Sequence, residues 1–120
     1  MSGNAYTIPG FQFTERADVA ATIPQYGGVV VGATGLVLPA VAGAPIDGVA
    51  QMPAALGSGE AIPVMVDGIT FAVAGAGGVV RGGAVQATVA GEFIALAAGT
   101  RAGKALTPAA AGELFALLLG

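Results

Sequence analysis

Histidine, cysteine and tryptophan are absent from this 120-residue sequence, and lysine plus arginine number only 4. The first two absences remove imidazole as a general base, imidazole and thiolate as metal ligands, and thiols as nucleophiles. No disulfide can staple the chain, so its fold must be held by packing or by partners. Four basic against 7 acidic residues leave a net charge of −3. Affinity for nucleic acid rests on neutralising phosphates with several Lys or Arg side chains, so no nucleic-acid partner is expected. The length excludes a doubly wound nucleotide-binding enzyme and a TIM barrel.

Charge is scarce enough to raise the question of a membrane. The run from Val19 to Ile46 carries none and is long enough to span a bilayer. Pro24, Pro39 and Pro45, with Gly27, Gly28, Gly32, Gly35 and Gly43, break any continuous helix there. No Lys/Arg cluster flanks the run, and no membrane partner is expected. Met1 to Gly10 lacks a basic region and an early apolar stretch, so it does not read as a signal peptide, and the chain is expected to be intracellular when made.

What the sequence does contain is 21 glycines and 7 prolines, which cut it into short apolar runs. That spacing belongs to strands and turns, and the fold class is all-β. The strand candidates are Gly28 to Val31, Leu36 to Leu38, Gly48 to Met52, Ile62 to Val66, Ile69 to Val73, Ala84 to Val89, Phe93 to Leu96 and Leu114 to Leu119. Asp67-Gly68, between Ile62–Val66 and Ile69–Val73, reads as the tight turn of a β-hairpin, because Asp tolerates positive φ and Gly takes it freely. Ala109 to Leu119 has the propensity of a helix broken at Gly112.

A repeat decides that segment. Shifting the sequence by 55 residues gives 10 identities in the 29 positions from 27 to 55, where this Ala/Gly-rich composition gives about 3 by chance. Pro53-Ala-Ala55 then lies on Pro108-Ala-Ala110, and Gly48 and Ala50 lie on Gly103 and Ala105. After a two-residue deletion, Ile62 to Val66 falls on Phe115 to Leu119, which is therefore expected as a strand. The expected architecture is a small β-barrel or β-sandwich of two pseudo-repeated halves. An extended N-terminal arm, 1–18, precedes a single β domain, 19–120, with pseudo-repeats 27–66 and 82–119.

The arm concentrates aromatic side chains: Tyr6, Phe11 and Phe13, with Ile8 between them. They either complete a core or anchor the arm on another chain, and as an interface the candidates are Tyr6, Ile8, Phe11 and Phe13. Glu15, Arg16 and Asp18 mark the junction with the domain.

Features that imitate catalytic motifs fail on their partners. Gly75 to Val80 resembles a phosphate loop, but Val80 stands where a GxGxxG needs its last glycine and no strand-loop-helix unit follows. Gly57-Ser58-Gly59 has no histidine to activate its serine. Glu15 and Asp18 lack calcium-loop spacing, and Lys104, the sole lysine, sits beside Gly103 as a solvated or partner-facing charge. No catalytic residue, cofactor or metal is assigned, and no enzymatic activity is expected.

Several segments together resemble the capsid cement, or head decoration, proteins of tailed bacteriophages. They are Ala5-Tyr-Thr-Ile-Pro-Gly10, Ile46-Asp-Gly-Val-Ala50, Gly82-Gly-Ala-Val85, Gly103-Lys-Ala-Leu106 and Ala110 to Leu119. The match covers nearly the whole chain through short motifs of common residues, and it departs from the family pattern at Arg101-Ala-Gly-Lys104. The resemblance implies a β-rich virion protein on the outer capsid surface. It implies a homotrimer that binds the major capsid protein and stabilises the expanded lattice, with the arm reaching neighbouring subunits. A lightly charged apolar surface fits an assembly component independently of that resemblance. The alternative is a small β-barrel module binding a carbohydrate or peptide in a groove lined by Gly75 to Gly78 and the Asp67-Gly68 hairpin.

Overall fold

The computed structural model describes residues 12–120. Among them are ten strands: β1 (Gln12–Arg16), β2 (Gly28–Gly32), β3 (Gly35–Val37), β4 (Gly48–Ala50), β5 (Ala61–Met65), β6 (Ile69–Val73), β7 (Ala84–Ala87), β8 (Phe93–Ala95), β9 (Gly103–Ala105) and β10 (Leu114–Leu119). They form two five-stranded sheets ordered β1-β5-β4-β2-β3 and β6-β10-β9-β7-β8. Every ladder is antiparallel. Raising each strand number of the first sheet by five gives the second, so each half of the sequence builds one sheet.

The likeness extends to single contacts. An isolated bridge joins Ile23 to Ala54 in the first half and Val79 to Ala109 in the second; another joins Ala17 to Leu36 and Ala74 to Phe93. Through that second pair each sheet curls, bringing its last strand back towards the end of its first. One bridge does not make a ladder, and neither sheet closes. The result is sandwich-like, and a closed barrel, the other form expected from sequence, is not what forms.

Each curled sheet holds its own apolar cluster. The first comprises Ala17, Ile23, Val29, Leu36, Ala50, Ala54, Ile62 and Val64. The second contains Ala74, Val79, Val85, Phe93, Ala105, Phe115 and Leu117 at the corresponding places. Phe93 and Phe115, both fully buried, meet edge to face with ring centroids 6.2 Å apart where the first half has Leu36 and Ile62. Val49 and Met65, on the outer side of the first sheet, also belong to the second cluster, with Tyr26 and Ile46 packed against it. The second cluster thus takes residues from both halves, which meet through unlike surfaces.

Asp67-Gly68 is a correction. Gly68 has the expected positive φ of 86°, and its N–H donates to Asp67 Oδ1 at 2.7 Å, yet β5 and β6 do not pair. β5 already has β1 on one edge and β4 on the other, leaving no place for β6, which pairs with β10 instead. The turn is a corner between sheets. Leu114–Leu119 is a strand, as the repeat requires, against its helix propensity. Gly103–Ala105, too short to signal itself, is the strand that the shift from Gly48–Ala50 supplies. Gln12–Arg16, within the segment read as an arm, is the outermost strand of the first sheet.

Candidate interaction surface

Side chains alternate between the faces of a strand, so register determines which of them share a surface. On the outer face of the second sheet, Ile69 stands opposite Leu118, Phe71 opposite Ala116, and Val73 opposite Leu114. Ile69, Phe71, Leu114 and Leu118 are 53%, 54%, 51% and 39% exposed. Lys104, opposite Leu118 on the neighbouring strand, adds one exposed charge.

The repeat provides an internal control for this face. Its structural equivalents in the first half are Gln12, Thr14 and Arg16 on β1, opposite Met65, Pro63 and Ala61. The three β1 side chains are polar and exposed, so the fold does not need Ile, Phe and Val at these places. Two further equivalents differ in the opposite sense. Met65 and Val49 are buried between the halves, while Leu118 and Lys104 at the matching positions face outward. The second half therefore presents, uncovered, a face that its counterpart either covers or makes polar.

At the edge of this face lies a cleft of about 230 Å3 lined by Tyr26, Gln51, Ile69, Thr70, Phe71 and Ala116. Tyr26 is the one non-glycine residue with positive φ, 62°, among the described residues. Its turn, closed by Gly27 N–H donating to the Pro24 carbonyl at 3.1 Å, matches the turn closed by Gly83 N–H and the Val80 carbonyl at 3.0 Å. There the equivalent residue is Gly82, with φ 82°, and both residues donate to the next strand, Tyr26 to Ala50 and Gly82 to Ala105, at 2.7 Å. Glycine is the unstrained choice at such a position. The first half keeps a tyrosine instead, with its ring edge-on to Phe71 at 5.7 Å. Gln51 Nε2 donates to Thr70 Oγ1 at 2.9 Å, and Thr70 Oγ1 to the Phe71 carbonyl at 3.1 Å, pinning the cleft floor.

Of the arm candidates, Phe13 is half-buried against the first core; Tyr6, Ile8 and Phe11 lie outside the described residues. Sequence reading missed Tyr26 and Phe71 as surface residues; Tyr26 aligns near a glycine in the shifted repeat, and that was the available signal. At the arm junction, Arg16 Nη1 donates to the Gly59 carbonyl at 3.1 Å. Asp18 accepts from Thr34 Oγ1 and from Ala20 N–H. These two bonds, the Thr34 one foremost, hold its carboxyl below the usual aspartate range. Gly57-Ser58-Gly59 is an exposed turn, with Ser58 Oγ accepting from Glu60 N–H. Gly75 to Gly78 forms a turn closed by a 3.0 Å backbone bond and lines neither this cleft nor the one at Pro45, Asp47 and Arg101.

Comparison with known protein families finds no match, and comparison with curated proteins finds none either. Among solved structures, the fold is similar to the N base of head fiber gp8.5 of bacteriophage phi29. The TM-score is 0.74 at 19% identity, covering 92% of this chain and 93% of that one. The two share a fold across essentially their full lengths.

Proposed function

We propose that this chain is a non-enzymatic structural protein of a bacteriophage head, a decoration protein that sits on the outer capsid surface. In this reading it binds the major capsid protein and sister subunits, as a homotrimer, and stabilises the expanded lattice. The observation that carries the proposal is the outer face of the second sheet, apolar where the repeat shows that polar residues suffice. The full-length fold likeness to a head fiber base supports the choice of partner. The arm residues Tyr6, Ile8, Phe11 and Phe13 supply further anchors. No chemistry is required of such a protein: contacts of modest strength, repeated over many copies, add up to a lattice that internal pressure opens less readily.

The test is co-sedimentation with capsids, alongside light scattering of the full-length protein and of a form lacking Met1 to Thr14. Trimeric mass and capsid binding that weaken in the truncated form are expected. A monodisperse monomer that ignores capsids would overturn the reading.

A further inference from the structure

We infer that the cleft between Tyr26 and Phe71 receives the N-terminal segment Ala5–Phe11 of a second copy of this chain. The inference deepens the self-association part of the proposed function and rests on that part, not on binding to a head.

Three observations converge on this occupant. The first is chemical matching. The cleft is lined by Tyr26, Gln51, Ile69, Thr70, Phe71 and Ala116, none of them charged, and residues 1–14 form a stretch of the sequence without any Asp, Glu, Lys or Arg. A segment bearing Tyr6, Ile8 and Phe11 brings aromatic and aliphatic groups to an apolar surface without stranding a charge there.

The second is the strand edge. Ala74 N–H bonds to Glu113 and the Gly68 carbonyl to Leu119 N–H, so the even-numbered residues of β6 face β10. The main-chain groups of Ile69 and Phe71 face the other way, where no strand pairs with them among the described residues, while at the Val73 end the Ala74–Phe93 bridge brings β8 against this edge. An extended segment can satisfy those groups while one aromatic side chain enters the cleft.

The third is where the segment starts. It joins the chain at Gln12, on β1, which flanks one edge of β5, while Gln51 follows β4 on the opposite edge. The cleft thus lies across β5 from the arm's own root. Phe11 adjoins Gln12 directly, so no linker is left to carry the segment across β5 to the cleft of its own chain, and a second copy is the occupant that needs none.

The chain has no cysteine, which makes disulfide trapping a clean test. Full-length Thr7→Cys is mixed with full-length Ile69→Cys or Gln51→Cys, oxidised, and resolved without reductant. The expected result is a covalent heterodimer whose yield falls at least tenfold when Phe71→Thr, the residue at the equivalent place in the first half, is added to the acceptor. Far-ultraviolet circular dichroism of that acceptor should match the parent. Absence of the heterodimer, or a yield that Phe71→Thr leaves unchanged, overturns the inference. So does a Thr7→Cys/Ile69→Cys double variant that links only within one chain at high dilution and at high concentration alike. Capsid co-sedimentation without cross-linking overturns this inference and leaves head binding standing; cross-linking without capsid binding does the reverse.

Discussion

Tyr26 and Phe71 come from different halves of the repeat, yet their rings meet edge to face at 5.7 Å, and Tyr26 holds a φ of 62° to make that contact. Replacing Tyr26 separates the strain from the contact. Tyr26→Gly should keep stability within about 1 kcal/mol of the parent, because relief of positive φ offsets the lost ring packing. Tyr26→Ala keeps the strain and loses the ring, and should cost about 1–2 kcal/mol. Urea unfolding of the two variants checks the order.

Large-to-small changes test whether the halves are one cooperative unit. Phe93→Ala should cost about 3–5 kcal/mol and Leu36→Ala about 2–5 kcal/mol, for the cavities that they leave. Because Val49 and Met65 of the first sheet are buried in the second core, each should shift a single transition seen equally by tyrosine fluorescence and far-ultraviolet circular dichroism. Two separated transitions in either variant would mean that the halves unfold independently.

Gly48 and Gly103 occupy equivalent positions where the chain runs too close to its neighbour for a side chain. A Cβ on Gly48 would approach the Met65 carbonyl to 2.6 Å, and one on Gly103 would overlap the Leu118 carbonyl. Gly48→Ala and Gly103→Ala should each cost about 1–3 kcal/mol by forcing strands apart. At Gly57 and Gly112, both at φ 84° with open space beside them, alanine meets only the backbone penalty of about 1 kcal/mol. Melting of the four variants gives the ranking.

Acid should weaken the fold partly through Asp18. Its carboxyl, held low by Thr34 and then by Ala20 N–H, binds protons less readily folded than unfolded. The stability it contributes is therefore present above the unfolded aspartate pKa of about 3.9 and is lost as pH falls through the lower folded value. Asp18→Asn should flatten the stability profile in that acid window and leave its slope near neutral pH unchanged, as measured by urea midpoints across pH. Solvent access to its two hydrogen bonds limits the size of the effect.

Much of the fold is legible in the sequence because its constraints are local. Gly/Pro punctuation sets the strand lengths, and the 55-residue shift that lays Gly48 on Gly103 also identifies the C-terminal Leu114–Leu119 as a strand. Propensity alone reads that segment as a helix, and the repeat outweighs it because its counterpart in the first half, Ala61–Met65, contains Pro63, which a helix interior does not accept. Asp67-Gly68 shows where local reading stops. Turn chemistry fixes a chain reversal with positive φ at Gly68, but pairing also needs a free edge, and β1 with β4 had taken both edges of β5. The surface was less legible still. In sequence, Ile69, Phe71, Leu114 and Leu118 are apolar strand residues no different from those that fill the cores.

The sequence by itself determined the absence of thiol and imidazole chemistry, the all-β class and the doubling of one unit, because composition, turn residues and self-similarity need no tertiary context. Only the tertiary structure decided how the two units meet. The outer side of the first is buried against the second through Val49 and Met65, and the same side of the second is left bare. Two like units packed through unlike surfaces cannot satisfy both ends. Which end stays open depends on the packing of the halves, not on the residues of either one alone.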